Sequence, residues 1–394
     1  MNEHRPSGAT AVAGTHDAVL ARVRKLLPGI RDSAVAAEAA RTIPRATVDA
    51  LLAAGVARIL VPPRFGGYGL GLDTWFEAMR EIGKADASHS WCAGLLIHHP
   101  HYVAQFPETA QQAIWADGPD VAVAASIAPV GRVTRANGGY RISGKFGFAS
   151  GLNHSSWVIV AGIAEIGGRP EHTFFLVGPG DFTIADTWDT AAMCATGSNT
   201  AVCDGVFVPE GHTVPLTVLR EGAGPGGALH AHPIYRAPIV AYSALAFATP
   251  MLGAALGAYE LFRDWMKTRR AQDGAALAEN PAIQVRMARA AANLDAAELL
   301  LRRAAAVAQA PMTLALRARS MRDFARAADL IIESIDALTA MSGTAGFAAS
   351  HPIQRAWRDI HFAAMHVTLT HERGYGHFGR TELGLPPDPR QRMF

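Results

Sequence analysis

The sequence predicts an α+β fold in which a β domain lies between two helical regions, and three observations carry this. Between residues 119 and 220, β-branched and aromatic residues gather in short runs separated by glycine pairs such as Gly138-Gly139 and Gly167-Gly168. On both sides of that stretch Ala, Leu, Arg and Glu dominate, and apolar residues recur at three and four positions, the period of an amphipathic helix. A chain of 394 residues with 49% hydrophobic content exceeds one ordinary core and can fill several.

Taken in order, residues 1–16 are polar and lack the apolar core of a signal peptide, so they read as a disordered leader. Asp17–Ala40, Pro44–Ala54, Leu72–Lys84, Ser90–Gln105 and Pro107–Ala116 read as helices of an N-terminal α-helical domain, 17–118. The central β domain, 119–220, is expected to be barrel-like. Its clearest strands are Val121–Ala125, Gly139–Gly144, Val158–Val160 and Thr173–Val177. The glycines of 221–227 open a mobile linker loop, 221–235. Residues 236–394 then form a C-terminal bundle of four long helices and a tail: Ala237–Thr268, Pro281–Ala310, Leu314–Met341 and His351–Gly374.

Composition excludes several classes of function. A formal charge of +2 without basic runs offers no stripe for nucleic-acid phosphates. Cys92, Cys194 and Cys203 are too few and too irregularly spaced for a disulfide scaffold or a thiolate metal cluster, which fits a reducing cytoplasm. Ala237–Tyr259 is an uncharged run of 23 residues, long enough to cross a bilayer. It consists largely of small residues, contains Pro238 and Pro250 and precedes amphipathic helices, so a buried core helix is expected and no membrane span. A charged fraction of 18%, low for long Ala-rich helices, points to faces buried in a homo-oligomer.

The most informative segment is Phe146-Gly147-Phe148-Ala149-Ser150-Gly151-Leu152-Asn153-His154-Ser155-Ser156-Trp157. It sets small hydroxyl residues and a turn glycine between apolar β runs, where a flat ring could lie against backbone. His98, His99 and His101 together invite a metal reading. His98 and His99 would point about 100° apart on a helix, and zinc usually adds a carboxylate or thiol, so no metal is expected.

Further motifs carry a family resemblance over roughly residues 20–385. Val61-Pro62-Pro63-Arg64-Phe65-Gly66-Gly67-Tyr68-Gly69-Leu70, then Gly253–Glu260 and Asn280-Pro281-Ala282-Ile283-Gln284, resemble the acyl-CoA dehydrogenase superfamily, with Phe65 in place of a tyrosine. His99-Pro100, Ser126-Ile127-Ala128-Pro129, Phe148-Ala149-Ser150-Gly151, Thr187-Trp188-Asp189-Thr190, Thr196-Gly197-Ser198-Asn199 and Trp357-Arg358-Asp359-Ile360-His361 are more similar to its two-component flavin-dependent monooxygenases. The resemblance implies that short- and medium-chain dehydrogenases place a catalytic glutamate just before the segment matching His351-Pro352-Ile353-Gln354-Arg355; this chain has Ser350 there, and a serine hydroxyl cannot abstract a proton α to a thioester without its own base.

The resemblance implies an acyl-CoA-dehydrogenase-like fold and an oxygenase component that uses reduced flavin and O2, through a C4a-hydroperoxyflavin, to hydroxylate a phenolic or polycyclic aromatic substrate. It implies His99 as the base on the substrate hydroxyl, and His366, with His361 as the alternative, as the group beside the oxygen adduct. Ser150 would meet the flavin near N5. Ser126, Thr196, Gly197 and Ser198 would line the cofactor, with Arg236 near its N1–O2 edge. Arg358 and Asp359 read as a structural pair.

No G-x-G-x-x-G follows a strand, so nothing in the sequence reads as a site for internal flavin reduction. Reduced FMN, or FAD, is expected from a separate flavin reductase, and the oligomer is expected to be a tetramer. Alternative readings are a dehydrogenase-type flavin oxidoreductase, a flavin-dependent N- or S-oxygenase and a flavin-free, non-catalytic member of the fold.

Overall fold

The computed structural model describes residues 14–388. The polar leader expected at the N-terminus falls outside them up to residue 13, and the chain is already helical from His16.

Helix α1 (His16–Ala40) starts at Thr15, whose hydroxyl accepts from the Ala18 amide, and buries Val19, Leu20, Val23, Ile30, Ala34 and Ala37. Helices α2 (Arg45–Ala53), α3 (Leu72–Ala85), α4 (Ala87–Val103) and α5 (Glu108–Ile114) follow close to their expected bounds. Asp86 caps α4 through the His89 amide, and every residue of α4 is buried. This central helix carries Trp91 and His99.

Seven strands make one mixed sheet in the order β5-β6-β2-β1-β3-β4-β7. They are β1 (Val123–Ala136), β2 (Gly139–Phe146), β3 (Trp157–Ile166), β4 (Arg169–Val177), β5 (Thr183–Ala185), β6 (Thr200–Pro209) and β7 (Thr213–Pro215). β1 is long and bent. Its first residues run parallel to β3, with Val123 opposite Trp157, and its last run antiparallel to β2, with Arg132 opposite Ser143; the register shifts between Ser126 and Gly131. The bend curls the sheet until Ile142, Phe146, Val160, Phe175, Ala201 and Val208 share one core, so the barrel-like enclosure is an open sheet with edges β5 and β7.

After α6 (Leu216–Arg220), the stretch expected to be a mobile linker is packed instead. A Cβ on Gly224 would stand 2.6 Å from the Gln105 carbonyl, and one on Gly226 2.0 Å from the Phe106 carbonyl; the glycines are there for contact with the backbone behind α4.

Helix α7 (Leu245–Met266) begins eight residues later than expected, because 3-10 turns around Pro233 and Pro238 precede it. The apolar stretch Ile239–Met266 is long enough to span a membrane but is 89% buried within the fold. α7 crosses α3 where Gly83 meets Gly253.

Helices α8 (Pro281–Ala308) and α9 (Leu314–Gly346, broken at Gly343) complete the long pair. The single helix expected over His351–Gly374 is two, α10 (Pro352–Ala364) and α11 (His371–Glu382). Between them, Val367-Thr368-Leu369-Thr370 includes three β-branched residues that favour leaving the helix, which puts His366 in a turn.

Candidate active site

A chain of hydroxyls joins the β domain to α4. Ser150 sits in the turn after β2, between Phe148 (φ 60) and Gly151 (φ 72). The Trp91 indole donates to Ser150 Oγ at 3.0 Å, Ser150 Oγ lies 2.7 Å from Ser198 Oγ, and Ser198 Oγ lies 2.7 Å from Thr196 Oγ1. Thr196 Oγ1 donates to the Met193 carbonyl at 2.8 Å. Because that last proton is committed, Ser198 donates to Thr196 and Ser150 donates to Ser198. The bonds run one way, polarise one another and leave Ser150 with an open acceptor lone pair.

Beside this chain lies a cluster of rings. Trp91 is tilted on Phe247 (centroids 4.8 Å) and meets His366 edge-on (5.9 Å), while His366 stacks on Phe247 at 3.5 Å. Phe148 stands 77% exposed, edge-to-face with Trp188, an aromatic held outward in a left-handed conformation that L-residues rarely adopt.

Two imidazoles are neutral with opposite tautomers. His99 Nδ1 is 2.7 Å from the Val123 carbonyl, which can only accept, so Nδ1 bears the proton and Nε2 the lone pair. His366 Nδ1 accepts from the Thr368 amide at 3.4 Å and bonds its hydroxyl at 2.9 Å, so the His366 proton is on Nε2. Burial is the chief cause that lowers both rings to a pKa of about 4, outweighing the Val123 carbonyl, which raises His99.

The other expected site residues are placed as follows. Ser126, three residues after Val123 on β1, donates to the Gly147 carbonyl at 2.7 Å and ties β1 to the Ser150 turn. Gly197 lies at φ 51, and its amide donates to the Cys194 carbonyl within the turn, so the residue shapes the backbone there. Arg236 is not brought to the cluster: it is exposed and donates to the His230 carbonyl. His361 also faces elsewhere, with Nδ1 bonded to the Trp357 carbonyl and Nε2 3.3 Å from Asp336.

Sequence reasoning missed Trp91, Phe247 and the ring of Phe148 as site residues. Trp91 stands on the same helix as His99, and that was the available signal. Phe247 carried none, because its partner His366 is distant in sequence.

The histidines of α4 diverge. His98 stacks on Trp75, and His101 Nε2 donates to the Ile234 carbonyl while its Nδ1 accepts from Tyr242. Among the described residues no group of three or more His, Cys, Asp or Glu could hold a metal ion.

A cavity of about 330 Å³ is lined by Lys84, Asp86, Glu260, Arg355 and Asp359 among others, and by none of Trp91, His99, Ser150 or His366. A cavity of about 10 Å³ lies against Ser150, Cys92 and Val123.

The chain matches two family models, described as the acyl-CoA dehydrogenase N-terminal domain over residues 14–118 and C-terminal domain over 245–371. It is 34% identical over 378 residues to the flavin-dependent monooxygenase oxygenase subunit HsaA of Mycobacterium tuberculosis, covering 94% of this chain and 96% of that protein. It is also 34% identical over 405 residues to the oxygenase component of the FADH2-dependent resorcinol hydroxylase of Rhizobium sp., covering 98% and 99%. The crystal structure of XiaF from Streptomyces sp. in complex with FADH2 and glycerol superposes with a TM-score of 0.88 at 29% identity, covering 94% of this chain and 96% of that one.

Proposed function

The chain belongs to the acyl-CoA dehydrogenase family, in the branch of oxygenase components of two-component flavin-dependent monooxygenases, and on that premise we propose a site and roles for its residues. The enzyme is an oxidoreductase that incorporates oxygen into an aromatic substrate. Its reduced flavin is FMN or FAD, delivered by a separate flavin reductase, and its assembly is a homotetramer in the cytoplasm.

The single observation behind this reading is the pair of neutral imidazoles with opposite tautomers, His99 with an open acceptor and His366 with an open donor. The residues fit a flavin: the Ser150–Ser198–Thr196 hydroxyls suit its polar edge, and the outward Phe148 ring suits its flat face. The acceptor left open on Ser150 matches an N–H, which a reduced ring offers at N5 and an oxidised ring does not. When bound, the flavin supplies the oxygen-transfer chemistry.

The protein's own groups prepare the substrate. His99 Nε2 takes the proton of a phenolic hydroxyl, which raises the electron density of the aromatic ring. The Val123 carbonyl holds the imidazole in the tautomer that can do so, by hydrogen-bonding Nδ1–H. His366 presents Nε2–H as a donor at the flavin, and its stack on Phe247 keeps water from that side. Ser126 and Gly197 shape the backbone around the ring. Arg236 and His361 have no role at this site within one chain.

The test is anaerobic titration of the protein with reduced FMN and reduced FAD, then mixing with isotopically labelled O2 and a panel of phenols. Labelled hydroxylated product supports the reading. Binding of neither reduced flavin, or product without label, defeats it.

A further inference from the structure

Asp359 lies on α10, 3% exposed, and its Oδ1 accepts from the Met193 amide at 2.6 Å. The preceding residue, Arg358, donates to the Ala191 carbonyl and bonds Glu38 on α1 at 2.7 Å. One turn of α10 therefore grips the 191–193 backbone from two directions.

Met193 is an unusual place to grip. It is not glycine, yet it holds φ 52 and ψ 27, a left-handed conformation that L-residues rarely adopt. Its carbonyl is the end of the hydroxyl chain, accepting from Thr196 Oγ1 at 2.8 Å, the Thr196 amide at 3.1 Å and the Trp188 indole at 3.1 Å. Without a partner for its amide, Met193 would relax toward negative φ and turn that carbonyl away. Thr196 would lose its acceptor, and nothing would then fix the direction in which Ser198 and Ser150 donate.

We propose that Asp359 is a positioning residue: its carboxylate on α10 holds Met193 left-handed and thereby sets the one-way polarity of the Thr196–Ser198–Ser150–Trp91 chain. This deepens the flavin reading and rests on it. Asp359 touches neither substrate nor cofactor, and its effect reaches them through Met193 and three hydroxyls.

The test uses full-length Asp359→Asn, Asp359→Leu and Asp359→Ser. Asn keeps an acceptor at the same reach, Leu has the size without the acceptor, and Ser is too short to reach Met193; Ser carries the same expectation if the Leu variant fails to fold. Two quantities are read: amide hydrogen exchange of residues 190–199 in flavin-free protein, and dissociation constants for reduced and oxidised FMN and FAD.

In the Leu and Ser variants the segment exchanges about tenfold faster, and the preference for reduced over oxidised flavin falls about tenfold, the upper end of what one hydrogen bond contributes. The Asn variant stays within about threefold of wild type, since its amide oxygen accepts the same N–H. Wild-type protection and preference in the Leu and Ser variants would overturn the proposal. So would an Asn variant as impaired as Leu, which would make the charge the active feature and not the acceptor. If wild type binds no flavin, the flavin reading has failed, and the exchange arm alone decides whether Asp359 holds Met193.

Discussion

His366 lies ring on ring with Phe247, 3.5 Å between centroids and 26° between planes, although 119 positions separate them in the sequence. The stack fixes the imidazole plane, and Thr368 fixes which nitrogen carries the proton. His366→Ala removes that oriented donor. The variant is expected to oxidise reduced flavin with a larger share of the oxygen released as hydrogen peroxide. Peroxide formed per flavin oxidised measures this, and unchanged coupling to product would take His366 out of the reaction.

His99→Ala is expected to slow hydroxylation by about 10²–10⁴, the usual contribution of a positioned base, while flavin oxidation by O2 continues. Because the His99 pKa is lowered to about 4, the wild-type rate should hold down to about pH 5 and not fall with an ordinary imidazole near 6.5. A single-turnover rate profile between pH 4.5 and 8 checks both points. An acid limb centred near 6.5 would contradict the burial argument.

The buried imidazoles also set the pH dependence of stability. His99, His101 and His366 are lowered from 6.5 to about 4, and His98 is lowered well below 6.5, in each case chiefly by burial. The unfolded chain therefore binds more protons than the native state between pH 6.5 and 4, and stability falls as pH drops through that window. Asp359 works in the opposite sense: burial, with Asp86 nearby, raises it to about 7, so its ionisation costs stability as pH rises from 4 toward 7. Four imidazoles outnumber one carboxyl, and denaturant titrations at pH 7 and pH 4.5 are expected to show the lower stability in acid.

Gly83 and Gly253 let α3 and α7 touch backbone to backbone. A Cβ on Gly253 would stand 2.6 Å from the Arg80 carbonyl and 2.7 Å from Gly83 Cα, and neither can step aside as a flexible side chain would. Gly253→Ala is expected to cost about 1–3 kcal/mol through overpacking, read as a lower Tm. An unchanged Tm would mean that the helices can separate freely. Gly274→Ala, where no atom lies within 4 Å, provides a control for backbone conformation alone (φ 83).

Much of this architecture was legible locally. Period and composition located α1 to α5 within three residues at each end, and the resemblance singled out Phe148–Gly151 and Thr196–Asn199, two turn segments that the Ser150–Ser198 hydrogen bond joins. Where the reading failed, a local rule met a non-local contact. The glycines after 221 looked mobile because mobility and close backbone approach use the same residue, and only the positions of Gln105 and Phe106 separate the two. The last helix read as continuous because the His351–Gly374 pattern stays amphipathic across the turn that holds His366. Arg236 fits the resemblance as a cation, but its guanidinium is bonded to the His230 carbonyl.

The sequence by itself determined the α, β, α order, the central buried helix and the small set of residue types from which a site could be made, because helical and strand periods and turn residues act over a few positions. Only the tertiary structure decided which of those residues meet. Trp91 reaches Ser150, Phe247 reaches His366 and Asp359 reaches Met193 across 59, 119 and 166 positions. Such pairings depend on how the helices cross and how β1 bends, which no local pattern encodes. The same packing places an acceptor on His99, since its tautomer is set by the Val123 carbonyl that happens to lie 2.7 Å from Nδ1.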